Sequence, residues 1–203
     1  MKIIVLKGWA STDNFYRDIF PFEFEIGFNN ILCDEEIVVI AWSMGTLEAL
    51  ENLNKYNIKK LILIAPTRDF TLSTSERVLK LMVKNLKTNK SEVLENFIYN
   101  TFESKKFAME YLSKYKEEIF NLDKEFLISG LEYLRTKKVE EIRTNINTLL
   151  ILGSQDKIIS NENSLEAISN FKNIKIVKLN KGHNLLFNNV EFIEIVRSFL
   201  SDK

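Results

Sequence analysis

Cysteine, histidine, proline and glycine are all scarce in this chain of 203 residues, which contains one, one, two and six of them, respectively. The single cysteine, Cys33, excludes an internal disulfide and is typical of a reducing compartment. One histidine and one cysteine do not supply the ligand cluster that a zinc site requires, so we expect no metal and no cofactor. The 28 basic and 28 acidic residues cancel, which argues against a polycation that binds nucleic acid.

Long apolar runs are missing as well. No segment approaches the roughly 20 consecutive apolar residues needed to cross a bilayer. The apolar run at residues 1–6 is too short for the core of a signal peptide and lacks a small-residue cleavage site. Hydrophobic residues nevertheless make up 45% of the chain, as in an ordinary globular domain. We therefore expect a cytoplasmic protein with no membrane partner, of one domain's size and monomeric.

Four short apolar runs, rich in valine, isoleucine and leucine, predict buried strands, and a fifth strand, at residues 174–179, alternates more. The four runs lie at residues 2–6, 37–41, 60–65 and 148–152. Helical patterns lie between or after the five strands, at residues 44–55, 164–170 and 190–201. This alternation of strands and helices is typical of an α/β fold, in which helices flank both faces of a mostly parallel sheet.

One long segment, residues 67–145, does not alternate and has a helical pattern throughout, with no proline and a single glycine. Apolar residues such as Val78 and Met82 recur there with the 3.6-residue period of a helix. We predict that residues 1–66 and 146–203 form the α/β core and that the segment between them is an inserted helical lid. Such an insertion would cover the carboxyl ends of the strands, where open α/β sheets bind ligands.

An apolar strand runs directly into a serine and then into a helix in the segment Val38-Val-Ile-Ala-Trp-Ser-Met-Gly45. This is the context of a nucleophile elbow, in which a serine occupies a strained turn between a strand and a helix. Small residues two positions before and after the serine let the strand and helix approach closely. Here they are Ala41, where a glycine is usual, and Gly45. The alternative is that Ser43 only caps the helix that follows it.

The other members of a hydrolytic triad are expected in the order serine, acid, histidine. Asp156 follows the fourth predicted strand, and His183, the only histidine, lies between the fifth predicted strand and the last predicted helix. Because parallel strands end at one edge of the sheet, we expect Ser43, Asp156 and His183 to meet there as nucleophile, acid and base. Taken singly, Asp156 could be a turn aspartate and His183 a surface histidine.

Acyl transfer also requires two backbone N–H groups that stabilise the developing oxyanion. We assign them to Met44, directly after the serine, and to Trp9, in the loop after the first strand. Four of the six glycines lie beside these functional loops, which favours an assembled site over scattered turns. They are Gly8, Gly45, Gly153 and Gly182.

Four segments carry a family resemblance: Leu6-Lys-Gly-Trp9, Ala41-Trp-Ser-Met-Gly45, Gly130-Leu-Glu-Tyr-Leu-Arg-Thr136 and Lys181-Gly-His-Asn184. With these segments the chain resembles the α/β-hydrolase superfamily over nearly its whole length. Within it, the chain is most similar to the pimeloyl-[acyl-carrier protein] methyl ester esterases of biotin synthesis. Lys7 and Ala41 depart from that family, which has a histidine and a glycine at these positions.

The resemblance implies a serine esterase that removes the methyl group from a carrier-bound dicarboxylate. We expect substrate-binding aromatic residues beside the serine and in the lid, although aromatic residues at helical spacing can equally form core. They are Trp9, Trp42, Phe97, Tyr99 and Phe102. Four basic residues at helical spacing predict a stripe on one helix face that docks an acidic carrier protein. The alternative is that this face is only solvated. The four residues are Arg77, Lys80, Lys84 and Lys87.

Two other functions remain open from the sequence. The first is a general carboxylesterase or thioesterase with another acyl substrate, which would share the triad and differ in the lid. The second is a binding protein on a degenerate hydrolase scaffold, which the intact Ser43, Asp156 and His183 argue against.

Overall fold

A parallel sheet of six strands forms the centre of the molecule in the computed structural model, which describes residues 1–29 and 31–202. In space the strands follow the order β2-β1-β3-β4-β5-β6, and every neighbouring pair is parallel. The strands are Lys2–Leu6 (β1), Glu25–Ile26 (β2), Ile37–Trp42 (β3), Ile58–Ile64 (β4), Asn147–Gly153 (β5) and Ile174–Leu179 (β6). The predicted α/β fold with a parallel sheet is therefore confirmed.

Both faces of the sheet are buried, which explains why the central strands are continuously apolar. Alternate residues of β1 and β3 belong to two separate apolar clusters. Val5 and Ile40 face one cluster, whereas Ile4 and Val39 face the other. The helices that accompany the sheet are Asp13–Ile19 (α1), Met44–Glu51 (α2), Asn161–Ala167 (α7) and Val190–Ser201 (α8).

Four consecutive helices occupy the long segment between β4 and β5. They are Glu76–Thr88 (α3), Lys90–Thr101 (α4), Lys105–Asn121 (α5) and Lys124–Thr136 (α6), preceded by a 3-10 turn at Phe70–Leu72. Three of the four have a side-chain N-cap, from Asn89, Ser104 and Asp123. The two ends of the segment are joined by an antiparallel bridge between Asp69 and Lys138. The chain therefore leaves the core for the helices and returns to it at one place.

The structure differs from the sequence expectation in several short elements. Helix α1, of seven residues, and the two-residue strand β2 were not predicted; β2 is too short to establish a hydrophobic period. Helix α2 ends at Glu51, four residues before the predicted end, and α7 begins three residues early. Within the described residues, none of the helices is both long and apolar enough to span a membrane.

Candidate active site

Ser43 lies on the turn between β3 and α2 in a backbone conformation that residues other than glycine rarely adopt. Its φ is 54° and its ψ is −117°, and its N–H donates to the carbonyl of Ile64 at the tip of β4 (3.0 Å). A Cβ atom at Gly45 would lie 2.4 Å from the carbonyl oxygen of Leu6, so only glycine lets α2 begin this close to β1. The strained turn and the close approach are the geometry of a nucleophile elbow.

Ser43, His183 and Asp156 form a continuous hydrogen-bonded row at the carboxyl edge of the sheet. The Nε2 atom of His183 is 2.8 Å from the Oγ atom of Ser43, and its Nδ1 atom is 2.7 Å from Oδ2 of Asp156. The side chains of His183 and Asp156 are 1% and 2% exposed, respectively. The three strand ends thus bring together the three side chains that the sequence singled out.

The second oxygen of Asp156 is bound by the backbone of the turn that follows. Its Oδ1 atom accepts hydrogen bonds from the N–H groups of Ile158 (2.7 Å) and Ile159 (3.0 Å). These donors fix the carboxylate and leave Oδ2 directed at the imidazole. Such an arrangement keeps the proton of the imidazole on Nδ1 and leaves Nε2 as the acceptor for the serine hydroxyl.

The N–H groups assigned to an oxyanion hole lie on two neighbouring segments. Met44 is the first residue of α2, so its N–H has no acceptor within the helix. Leu6 is in register with Ala41, which brings the loop containing Trp9 alongside the serine turn. Within the described residues, the N–H of Trp9 has no backbone acceptor. Both N–H groups therefore lie on segments adjacent to the serine turn and are free of a backbone acceptor in the described residues.

Tyr16 supports this loop, a role that was not predicted from the sequence. Its hydroxyl accepts a hydrogen bond from the N–H of Gly8 (2.9 Å) and lies 3.0 Å from the Oγ atom of Ser11. Ser11 in turn donates to the carbonyl of Gly8 (2.7 Å). Burial raises the pKa of Tyr16 well above its ordinary value, so the phenol stays protonated. Its partner is a backbone group, which sequence patterns do not reveal.

An apolar cavity of about 330 Å³ lies between the helical segment and the core. Trp9 and Phe97, both expected to bind substrate, line it together with residues of α3 and α6 and with Ile158, two positions after Asp156. The two aromatic rings meet edge to face at 4.7 Å, and the indole N–H of Trp9 donates to the carbonyl of Leu127 in α6 (2.9 Å). The helices therefore form one wall of this cavity, which is lined by Trp9 and Ile158 but by none of the three triad residues.

The other three aromatic residues expected to bind substrate pack within or against the apolar core. Trp42 packs on Gly8 and donates its indole N–H to the carbonyl of His183 (3.1 Å). Phe102 is 2% exposed and packs against Phe187. Tyr99 is partly buried against the same apolar cluster. None of the three lines the cavity. For Tyr99 and Phe102, the period of a helix does not distinguish residues that face a cavity from residues that face the core.

The basic residues expected to dock a carrier protein are all exposed on α3. Lys80 pairs with Glu76 (3.3 Å), whereas within the described residues Arg77, Lys84 and Lys87 form no ion pair. The same helix exposes Val78 and Leu81, which line the apolar cavity. Helix α3 thus exposes both basic and apolar side chains, and its apolar side chains line the cavity.

A family model described as alpha/beta hydrolase fold matches residues 23–190 of the chain. Among solved structures, an esterase from Exiguobacterium antarcticum is 17% identical, with a TM-score of 0.80 over 100% of this chain and 92% of that one. An alpha/beta hydrolase enzyme from a Medee basin deep-sea metagenome library is 18% identical, with a TM-score of 0.78 over 99% and 89%.

An enol-lactonase from Burkholderia xenovorans is 13% identical, with a TM-score of 0.76 over 98% of this chain and 91% of that one. At these identities the likeness establishes the fold alone. No curated protein matches the chain in sequence.

Proposed function

Because the chain belongs to the alpha/beta hydrolase fold family, we propose that it is a serine hydrolase of carboxylic esters. The observation that carries the proposal is the unbroken row from the hydroxyl of Ser43 through the imidazole of His183 to the carboxylate of Asp156, with contacts of 2.8 and 2.7 Å. A nucleophile, a general base and an orienting acid in this order are what acyl transfer requires.

In the proposed reaction, Nε2 of His183 takes the proton of Ser43 as the serine oxygen attacks the acyl carbon. Asp156 stabilises the imidazolium that forms. The protonated His183 then gives its proton to the leaving alcohol as the bond from the acyl carbon to that alcohol breaks. Water, activated by the same imidazole, hydrolyses the acyl-enzyme and restores the free serine.

The tetrahedral intermediate of each step carries a negative oxygen. The N–H groups of Met44 and Trp9 are the donors that we assign to it, and the N-terminus of α2 adds a favourable dipole. Removal of one such donor typically costs about 3 kcal/mol of transition-state stabilisation. No metal or cofactor takes part in this scheme.

For the substrate, we propose the methyl ester of pimeloyl-acyl carrier protein, a precursor in biotin synthesis. The apolar cavity lined by Trp9 and Ile158 suits an acyl chain, and the basic and apolar surface of α3 suits an acidic carrier that delivers it. On this proposal the protein acts as a cytoplasmic monomer that needs neither nucleic acid nor membrane.

A general carboxylesterase or thioesterase is the second candidate. It is favoured by the structural neighbours, whose names include an esterase and an enol-lactonase and therefore differ in acyl substrate. A binding protein without catalytic activity is a weaker candidate, because the hydrogen-bonded row is complete.

Complementation of a biotin auxotroph that lacks its own esterase tests the specific proposal. Growth with the parent protein and no growth with Ser43→Ala is the expected result. No growth with either protein, combined with hydrolysis of short p-nitrophenyl esters by the purified parent, would overturn the carrier substrate and favour the general esterase. Absence of both activities would overturn the hydrolase proposal.

A further inference from the structure

The loop that carries His183 is held between the core and the helical segment. On the core side, a Cβ atom at Gly153 in β5 would lie 2.3 Å from the carbonyl oxygen of Gly182. On the other side, a Cβ atom at Gly182 would lie 2.6 Å from the carbonyl oxygen of Thr101. The N–H of Asn184 donates to that same carbonyl (2.8 Å). The histidine loop thus packs directly on the connection between α4 and α5.

Glu103, in that connection, binds the histidine loop with both carboxylate oxygens. Oε2 accepts a hydrogen bond from the N–H of Gly182 (3.0 Å), the residue before His183. Oε1 accepts from the ammonium of Lys181 (3.0 Å), which also lies 4.1 Å from the centre of the Phe107 ring. The side chains of Glu103 and Lys181 are 11% and 20% exposed, so this contact is largely shielded from water.

Glu103 is ionised when it binds the histidine loop. Burial by itself would raise the pKa of Glu103, but the hydrogen bonds from Gly182 and Lys181 outweigh it and lower that pKa below its ordinary value. A charge-assisted contact to a backbone N–H is stronger and better directed than a neutral one.

We propose that Glu103 is a positioning residue that aims the imidazole of His183 at Ser43 by fixing the Lys181–Gly182 backbone. The inference rests on the proposed serine hydrolase reaction. It means that the helical segment, besides lining the cavity, contributes a side chain on which the geometry of the general base depends. Misplacement of a reacting group by about 1 Å can cost about 100-fold in rate, so a small shift of this loop is enough to matter.

The chain offers an unusually clean reporter for this test, because His183 is its only histidine. NMR spectra of histidine-labelled protein therefore contain one set of imidazole signals, which can be followed without substrate. Glu103→Ala removes both contacts, Glu103→Gln keeps an acceptor for the N–H of Gly182, and Glu103→Asp withdraws the carboxylate by one methylene. Asp18→Asn is the matched control, since Asp18 binds Lys114 and Tyr115 of α5 from α1.

In Glu103→Ala and Glu103→Asp we expect the imidazole signals to shift or broaden, and kcat for a small ester to fall about tenfold with little change in KM. Glu103→Gln should keep most of the parent's kcat and imidazole spectrum. Asp18→Asn should have the same imidazole spectrum as the parent. If Glu103→Ala does not fold, Glu103→Asp decides the question.

Imidazole signals that superimpose on those of the parent would overturn the positioning role. If the parent hydrolyses no ester while the signals still shift in the Glu103 variants, the hydrolase proposal fails and the structural dependence of His183 on Glu103 stands.

Discussion

At the scale of single residues, the two oxygens of Asp156 have separate tasks. Oδ1 is held by the N–H groups of Ile158 and Ile159, and Oδ2 meets the imidazole of His183. The first oxygen therefore fixes the orientation of the carboxyl group, whereas the second acts on the base. A substitution that preserves one task and abolishes the other can separate them.

Asp156→Asn is that substitution, because the amide oxygen can still accept from the two N–H groups. The amide NH₂ would face Nδ1 and impose the wrong imidazole tautomer, so we expect kcat to fall by about 10³–10⁴ with a small change in stability. Ester hydrolysis and chemical unfolding of the same preparation measure both effects. A rate within about tenfold of the parent would argue that Asp156 does not set the tautomer.

The backbone of Ser43 gives a second prediction at this scale. With φ at 54° and ψ at −117°, the position is strained for any residue other than glycine. Ser43→Gly and Ser43→Ala both remove the hydroxyl and its hydrogen bond, but only glycine relieves the strain. We expect Ser43→Gly to unfold with about 1 kcal/mol more free energy than Ser43→Ala. Equal stability of the two variants, measured by denaturant unfolding, would show that the turn is not strained.

At the scale of elements, the helical segment is closed at its base by Asp69 and Lys138. The ammonium of Lys138 lies 2.6 Å from the carboxylate of Asp69. Asp69 also accepts a hydrogen bond from the N–H of Thr71 (2.9 Å). The N–H of Val139 donates to the carbonyl of Arg68 (2.9 Å), which continues the same antiparallel contact. The two chain segments that connect the helices to the sheet thereby stabilise each other.

This closure predicts a pH dependence of stability. Burial alone would raise the pKa of Asp69, but the contacts with Lys138 and Thr71 lower it below its ordinary value. A lowered pKa in the folded state stabilises the protein above the unfolded-state pKa of about 4 and loses that contribution as pH falls through the folded-state value.

Asp69→Asn should therefore be less stable than the parent at pH 7, by up to about 1 kcal/mol, and this gap should close below about pH 4. Urea unfolding of both proteins across this range measures it, with Asp34→Asn, an exposed aspartate outside the helical segment, as the control. A stability difference between Asp69→Asn and the parent that does not change with pH would contradict the lowered pKa of Asp69.

Helix α3 carries the element-scale prediction about substrate delivery. Charge reversal of Lys84 and Lys87 should lower kcat/KM for a carrier-bound ester about tenfold relative to a small ester at low salt and weaken its salt dependence. Reversal of Lys175 and Lys178, which are exposed on β6, gives a control with the same change of net charge. Equal effects of the two double variants would eliminate α3 as a docking surface.

At the scale of the whole molecule, the helical segment is attached to the core by several contacts, two of which involve the loops that carry Trp9 and His183. Leu127 of α6 accepts from the indole of Trp9, Glu103 binds the histidine loop, and Asp18 of α1 binds α5. The insertion is thus tied both to the loop after β1 and to the loop that carries the base. A change in the helices can reach the reacting groups through either contact.

The sequence predicted the features that depend on period and order, and it missed those that depend on packing. The central strands were found because buried parallel strands are continuously apolar. The edge strand β6, which is partly exposed, matches its prediction at both ends. The meeting of Ser43, Asp156 and His183 followed from strand ends alone. By contrast, the burial of Trp42 and Phe102 in the core was not predicted. Tyr16 and Glu103 gave no signal, because each binds the N–H of a glycine in another segment and such contacts leave no pattern in the sequence.

Covalent labelling of Ser43 tests the central claim most directly. Folded protein treated with a fluorophosphonate should gain the mass of one adduct, which peptide mapping should locate on Ser43. Ser43→Ala should gain none, and His183→Ala should react far more slowly because the hydroxyl has lost its base. Folded parent protein that stays unlabelled, or that carries the adduct on a different serine, would contradict the account.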